Sequence, residues 1–235
     1  MEPTEKPPYG NRRRIYLMRH GDVSYFDATG RPFRPDTVPL NDEGRIQAEL
    51  AGRLLADVPV DRVLSSDLAR SVQTASLAVT GRDLKVETYR QLREIQPGRL
   101  ADIPATDMEK AFVGAFAADL TREARFLAGE TLGSLIDRVL AWFQDLLTDR
   151  TWKQILVVAH GGVNRVILGS ALGAGLQAFG AFEQDPGCLN ILDVNDNGRV
   201  LIRLVNYSPD NPIKKGLDLS TMERLYDQYR RQGGS

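Results

Sequence analysis

Apolar and polar positions along the chain switch between two periods. Short β-branched runs predict strands over residues 14–18, 62–64, 84–89, 154–159, 189–194 and 199–205. The run QILVVA at 154–159 is continuously apolar, the pattern of a strand buried on both faces. Helical periodicity predicts helices over 42–56, 67–79, 131–147, 164–172 and 222–231. In the longest of these, Leu132, Leu135, Val139, Phe143 and Leu146 share one stripe. In the first, Asn41 suits the N-cap, Asp42 and Glu43 suit the first turn, and Ile46, Leu50 and Leu54 are expected to face the core. The tetrad Asn195-Asp196-Asn197-Gly198 predicts a hairpin between the last two strands. Alternating strands and helices imply an α/β sandwich with a largely parallel sheet. Residues 98–128 fit this alternation least and are read as a helical or loop insertion. Residues 1–12 are read as a flexible tail, 13–210 as a single domain and 211–235 as a helical C-terminal extension.

Composition narrows the function classes. The chain has 235 residues, 30 Lys+Arg against 31 Asp+Glu, and a formal net charge of -1. No excess of either sign draws it to a phosphate backbone or an anionic bilayer, so neither nucleic acid nor membrane is expected as a partner. The uncharged stretch 166–182 is padded with Gly and Ala and interrupted by Ser170 and Gln177, which reads as a soluble helix followed by a Gly-rich turn. Arg12, Arg13 and Arg14 precede only four apolar residues before Arg19, too few for an export signal. The single cysteine, Cys188, excludes an internal disulfide and fits a reducing, cytoplasmic setting. It opens an apolar strand and is expected to be buried.

The chain's two histidines are matched in context. His20 and His160 each follow a strand-like run and each precede a glycine, in Leu17-Met18-Arg19-His20-Gly21 and Val157-Val158-Ala159-His160-Gly161-Gly162. Ligands of open α/β sheets bind at the C-terminal ends of strands, and glycine there admits close backbone approach. The two imidazoles are therefore placed side by side on neighbouring strand ends, a pair of hydrogen-bonded structural histidines being the alternative. Arg19 abuts His20. Arg70 falls near a helix start, where a cation opposes the helix dipole unless it faces an anion held there. Two guanidiniums and two imidazoles at strand ends suit a phosphoryl group. There is no Gly-x-x-x-x-Gly-Lys-Ser/Thr loop, no Gly-x-Ser-x-Gly elbow and no zinc spacing, so neither metal nor cofactor is expected.

Six segments in order then resemble the histidine phosphatase superfamily, the phosphoglycerate-mutase-like group. They are Arg19-His20-Gly21; Pro39-Leu40-Asn41-Asp42-Glu43-Gly44-Arg45; Ser65-Ser66-Asp67-Leu68-Ala69-Arg70; Leu92-Arg93-Glu94-Ile95; Gly129-Glu130-Thr131-Leu132; and Ala159-His160-Gly161-Gly162. The resemblance implies a three-layer α/β/α sandwich with a mostly parallel central sheet, the insertion lying over the active site. It implies a metal-independent phosphomonoesterase acting through a phosphohistidine. By the same resemblance His20 is the nucleophile. Arg19, Arg70, His160 and the Gly161 N–H hold the phosphoryl oxygens, and Glu94 is the acid and base.

The sequence departs from the family pattern near its nucleophile. Val23 and Phe26 stand where members often carry Thr and Asn, and Ser24 is the substitute hydroxyl, one position out of register. Tyr25, Phe26, Arg99 and Phe112 are candidates to line a cap. No Arg- and Pro-rich segment that would grip a glycerate carboxylate is present, which favours a phosphatase over a phosphoglycerate mutase-type transferase. A non-catalytic phospho-ligand binding module is the third reading. The expected partner is a phosphorylated small molecule, with phosphate or sulfate as an ion able to occupy the site, and a homodimer is a further expectation.

Overall fold

The computed structural model describes residues 12–26, 33–116 and 120–231. The tail expected over 1–12 lies outside these residues except for Arg12. Six strands form one sheet: β1 (Arg13–Arg19), β2 (Arg62–Ser66), β3 (Val86–Tyr89), β4 (Gln154–Ala159), β5 (Leu189–Val194) and β6 (Val200–Tyr207). Their order is β3-β2-β4-β1-β5-β6. The first four run parallel, and β5 and β6 are antiparallel to β1 and to each other. The sheet is thus mostly parallel, as expected. The hairpin turn falls where the Asn-Asp-Asn-Gly tetrad predicts it, with Gly198 at φ +77°.

The strand period of two sorts side chains between two helical layers. Ile15 and Leu17 of β1 and Ile155 and Val157 of β4 pack with α4 (Leu132–Thr148) and α5 (Gly161–Leu172). Tyr16, Met18, Leu156 and Val158 face the other way, toward α1 (Asp42–Leu54) and α2 (Ala69–Ala78). The result is the three-layer α/β/α sandwich. Thr131 caps α4 by accepting the Ser134 N–H, and Asn41 caps α1 by accepting the Gly44 N–H at 2.8 Å.

The buried face of α1 differs from the expected one. Ile46 and Leu54 are about half exposed, and the residues turned inward are Gly44, Gln47, Ala48 and Ala51. The reason is close packing. A Cβ on Gly21 would lie 2.3 Å from the Gly44 carbonyl oxygen, so the loop that follows β1 and the first turn of α1 meet backbone to backbone. Bulky side chains cannot occupy that contact, and the helix turns its small residues into it. Helix α5 also starts three residues earlier than its periodicity suggests, directly after His160, because Gly161 and Gly162 carry no apolar signal.

Residues 98–128 contain short 3-10 turns and α3 (Met108–Val113). The terminal helix α6 (Thr221–Arg231) packs against α3 in a separate apolar cluster of Met108, Phe112, Leu127 and Met222. Among the described residues no helix is long and apolar enough to cross a membrane.

Candidate active site

The register of β1 against β4 pairs Leu17 with Val157 and Arg19 with Ala159. The next residue on each strand is His20 and His160, so the topology alone sets the two imidazoles together. Their ring centroids are 5.0 Å apart, edge to face. Arg19, His20, Arg70 and His160 are all buried. Arg70, in the first turn of α2, donates from Nε to His20 Nε2 at 3.2 Å. His20 Nδ1 lies 2.6 Å from the Gly21 carbonyl oxygen, to which it donates. These two contacts assign the tautomer: Nδ1 carries the proton and Nε2 presents its lone pair.

Supporting groups fix each member. Thr74 Oγ1 accepts the Gly21 N–H at 3.1 Å and donates to the Arg70 carbonyl at 2.7 Å, joining the loop that carries His20 to α2. Ser71 Oγ lies 3.2 Å from His160 Nε2, while His160 Nδ1 is buried without a partner among the described residues. Arg70 Nη1 donates to the Pro35 carbonyl at 2.5 Å. Glu94 accepts the Ile95 N–H at Oε1 (2.9 Å) and the Gly162 N–H at Oε2 (3.1 Å). A Cβ on Gly162 would stand 2.5 Å from Glu94 Oε1, so any larger residue there would push the Glu94 carboxylate out of its present position. Gly161 lies between Arg19 and Glu94: a Cβ there would be 3.7 Å from Arg19 Nε and 3.8 Å from Glu94 Oε2.

A cavity of about 1350 Å³ opens above this cluster. Arg19, Arg70, Glu94 and Gly161 line it, as do the four cap candidates Tyr25, Phe26, Arg99 and Phe112. The two imidazoles do not reach its wall. They lie beneath its floor, and Arg70 covers Nε2 of His20. Ser24 is exposed and is not among the lining residues, because the one-residue offset turns it away while Val23 and Tyr25 line the wall. It is therefore left out of the site. Among the described residues no cluster of three or more His, Cys, Asp or Glu is arranged to hold a metal.

Several supporting residues carry no catalytic signature in the sequence. Arg138 of α4 donates to the carbonyls of Arg93 (2.6 Å) and Glu94 (3.2 Å) and pairs with Glu130 at 3.0 Å. Glu130 in turn accepts the Gln96 N–H at 2.9 Å. The Gly-Glu-Thr element therefore braces the loop that carries Glu94. The Gly129-Glu130-Thr131-Leu132 segment marks Glu130 in the sequence, but its partner Arg138, eight residues on along an amphipathic helix, carries no such mark. Arg165 is also buried on the cavity wall, donating to the Phe179 carbonyl at 2.7 Å and pairing with Glu183 at 3.3 Å.

Burial, with the Arg70 and Arg19 guanidiniums, pushes the His20 pKa well below the usual value. Burial, Arg70 and the neighbouring His20 do the same to His160. Both rings are neutral in the folded protein near pH 7. In the unfolded chain they titrate at about 6.5. Below that pH the unfolded state binds protons that the folded state does not, so stability must fall as pH falls. The expected loss is up to about 1.4 kcal/mol per pH unit per histidine from pH 6.5 downward. Urea unfolding between pH 7.5 and 5.5 measures the slope. A slope equal to that of the His20→Gln, His160→Gln double variant would refute the assignment of buried neutral rings.

The adenosylcobalamin/alpha-ribazole phosphatase of Escherichia coli (strain K12) is 30% identical over 199 residues, covering 82% of this chain and 95% of that protein. The 2-carboxy-D-arabinitol-1-phosphatase of Triticum aestivum is 28% identical over 88% of this chain, but the match spans only 43% of its own length. The chain thus spans less than half of that plant relative. The crystal structure of the alpha-ribazole phosphatase from Shigella flexneri superposes with a TM-score of 0.69 at 26% identity, covering 82% of this chain and 96% of that one. Residues 15–207 match the family model of the histidine phosphatase superfamily (branch 1), and the chain belongs to that superfamily.

Proposed function

We propose that this chain hydrolyses a phosphomonoester of a small organic molecule through a phosphohistidine on His20. The observation that carries the reading is the fixed tautomer of His20, with Nδ1–H committed to Gly21 and Nε2 directed at Arg70. Nε2 is a nucleophile held where a phosphoryl group would meet guanidinium donors. On arrival of the phosphoryl dianion, Arg70 exchanges its weak contact with Nε2 for charge-assisted bonds to phosphoryl oxygens, which uncovers the nucleophile.

In the first step Nε2 forms a bond to phosphorus while the bond to the ester oxygen breaks. The leaving oxygen takes a proton from the Glu94 carboxyl group. Positive charge on the phosphorylated ring is spread through Nδ1–H onto the Gly21 carbonyl. Arg19, Arg70 and His160 hold the equatorial oxygens, with the Gly161 N–H as a further donor. The dianion favours protonated His160, offsetting the burial that otherwise keeps this ring neutral. In the second step Glu94, now a carboxylate, takes a proton from water. The water oxygen bonds to phosphorus, the N–P bond breaks and inorganic phosphate leaves. Inorganic phosphate, or sulfate as its analogue, is thus a ligand of the same residues. No step requires a metal or an organic cofactor.

The experiment is a quench of the enzyme during turnover of a radiolabelled phosphomonoester. Label on His20 that survives base and is lost in acid supports the reading, and no such label sinks it. With 3-phosphoglycerate and catalytic 2,3-bisphosphoglycerate the expected product is free phosphate; isomer formation would identify a mutase. Glu94→Gln should slow hydrolysis of alkyl phosphates by about 10²–10⁴-fold, the span of one general acid–base group. It should slow p-nitrophenyl phosphate much less in the phosphorylation step, because that leaving group needs no proton. Equal losses on both substrates would remove Glu94 from the acid role.

A cytoplasmic setting is part of this reading. The one cysteine, Cys188, is buried, and burial pushes its thiol up to about 12, which keeps it an inert thiol.

A further inference from the structure

The family match ends at residue 207, yet the cavity does not. Residues beyond it line the same space, among them Lys215, Leu217, Thr221, Met222, Leu225 and Gln228. Two independent contacts hold this extension in place. On one side Asp185 pairs with Lys214 at 2.8 Å and Arg224 at 3.5 Å, and accepts from Asn206 Nδ2 at 2.9 Å. On the other, the Phe112 ring stacks on Tyr229 at 5.6 Å and tilts against Tyr226 at 5.8 Å. Helix α6 is thereby wedged between the loop that follows α5 and the 98–128 insertion.

The first residue of α6 touches the phosphate-binding cluster directly. Arg19 Nη1 donates to the Gln184 carbonyl at 2.5 Å and to Thr221 Oγ1 at 3.3 Å. The Thr221 hydroxyl spends its proton on Glu183 Oε2 at 3.0 Å, which leaves lone pairs for Arg19 and, at 3.4 Å, for Arg224. Nη1 is thus committed to two protein acceptors, whereas Nε is not. Among the described residues Arg19 Nε is buried with no partner, next to Gly161. An unpaired buried donor on the wall of a site built for an anion is a donor reserved for that anion.

The rest of the cavity is far larger than a phosphoryl group needs, and its outer wall is apolar: Phe26, Phe33, Phe112, Phe126, Met222 and Leu225. Pockets of this size bury drug-sized molecules, and apolar walls take up apolar surface. Apart from Arg19, Arg70 and Glu94, the basic lining residues Arg34, Arg93, Arg99, Arg165, Lys215 and Arg224 nearly match the acidic Asp22, Asp36, Glu43, Asp185 and Asp210, so the rest of the lining is close to charge balance.

We propose that the extension after residue 207 completes the active site: Thr221 is a positioning residue for Arg19, and the helix it opens is the wall that selects phosphomonoesters with a bulky, largely apolar leaving group. The proposal rests on the phosphomonoesterase reading of the cavity, and its test separates the two. Full-length wild type, Thr221→Val, Thr221→Ser and Leu225→Ala are compared in calorimetric binding of inorganic phosphate and in kcat/KM for phenyl and naphthyl phosphate. Thr221→Val keeps the side-chain shape and removes the acceptor. It should weaken phosphate binding about tenfold and lower kcat/KM for both esters alike, as loss of one bond to a charged group does. Thr221→Ser should return both values to within about twofold of wild type. Leu225→Ala should lower the naphthyl-over-phenyl preference about tenfold, the worth of a few methylenes in an apolar pocket. Phosphate affinity within twofold of wild type in Thr221→Val, or an unaltered ester preference in Leu225→Ala, overturns the proposal. If wild type binds phosphate in a Thr221-dependent way yet hydrolyses neither ester, the positioning role stands. The phosphatase reading then fails, and the selective wall fails with it.

Discussion

His20→Ala is expected to lower turnover of any phosphomonoester by at least about 10⁴-fold while leaving the fold intact, because the variant loses the atom to which phosphorus is transferred. No other group in the cluster replaces it. His160 is buried with Nε2 against Ser71, and Glu94 is held by two backbone N–H groups. Direct attack by water on a bound ester would use the remaining donors, which accounts for a residual rate above that of solution. Folding should persist because His20 contributes one short hydrogen bond to its own neighbour, Gly21, and accepts one from Arg70. The check is a progress curve with p-nitrophenyl phosphate beside a thermal melt. A properly folded His20→Ala protein that turns over at the wild-type rate would show that the nucleophile lies elsewhere.

Arg70→Ala is expected to lower kcat/KM by about 10³–10⁵-fold, the range found when a guanidinium is removed from a phosphoryl-transfer site. Arg70 is buried, faces Nε2 of His20, and is anchored by the Pro35 carbonyl, so its charge is delivered at a fixed point in a low-dielectric site. The same charge helps depress the His20 pKa. Removing it should therefore raise the His20 titration midpoint toward the ordinary value, a change visible in the ring-proton NMR signals across a pH series. Arg70→Lys retains the charge but not the planar fork, and should recover the His20 shift better than the activity. Wild-type activity in Arg70→Ala, or an unmoved His20 midpoint, would contradict the placement of this charge.

Legibility of the site in the sequence varied with the range of the interaction. The Arg-His-Gly and His-Gly-Gly segments end strands whose apolar runs are unmistakable, so both imidazoles were readable as strand-end groups. Glu94 sits in a loop with no periodicity, and only the ordered family resemblance singled it out. The supporting partnership of Arg138 with Glu130 left almost no local mark, since its purpose is to hold carbonyls some 45 residues away. Ser24 was one residue out of phase, and in extended chain one residue reverses the direction of a side chain. The inward face of α1 runs against its apolarity pattern, since the exposed Ile46 and Leu54 outweigh the buried Ala48 and Ala51 in hydrophobicity. The contact between Gly21 and Gly44 admits only small neighbours, whatever their hydrophobicity.

Local periodicity, turn chemistry and ordered motifs were by themselves sufficient to determine the α/β class, the parallel core and the hairpin, and to single out His20 and His160 as strand-end groups. Those features arise from interactions within a few residues or along single strands. Tertiary structure alone decided that His20 and His160 lie under the cavity floor, and that the last helix reaches across 202 positions to touch Arg19. It also decided that the outer cavity is apolar. Such contacts depend on how whole elements are stacked. A helix such as α6, polar along most of its length, gives no sign of which neighbour its few apolar residues meet until the insertion and the strand ends are in place.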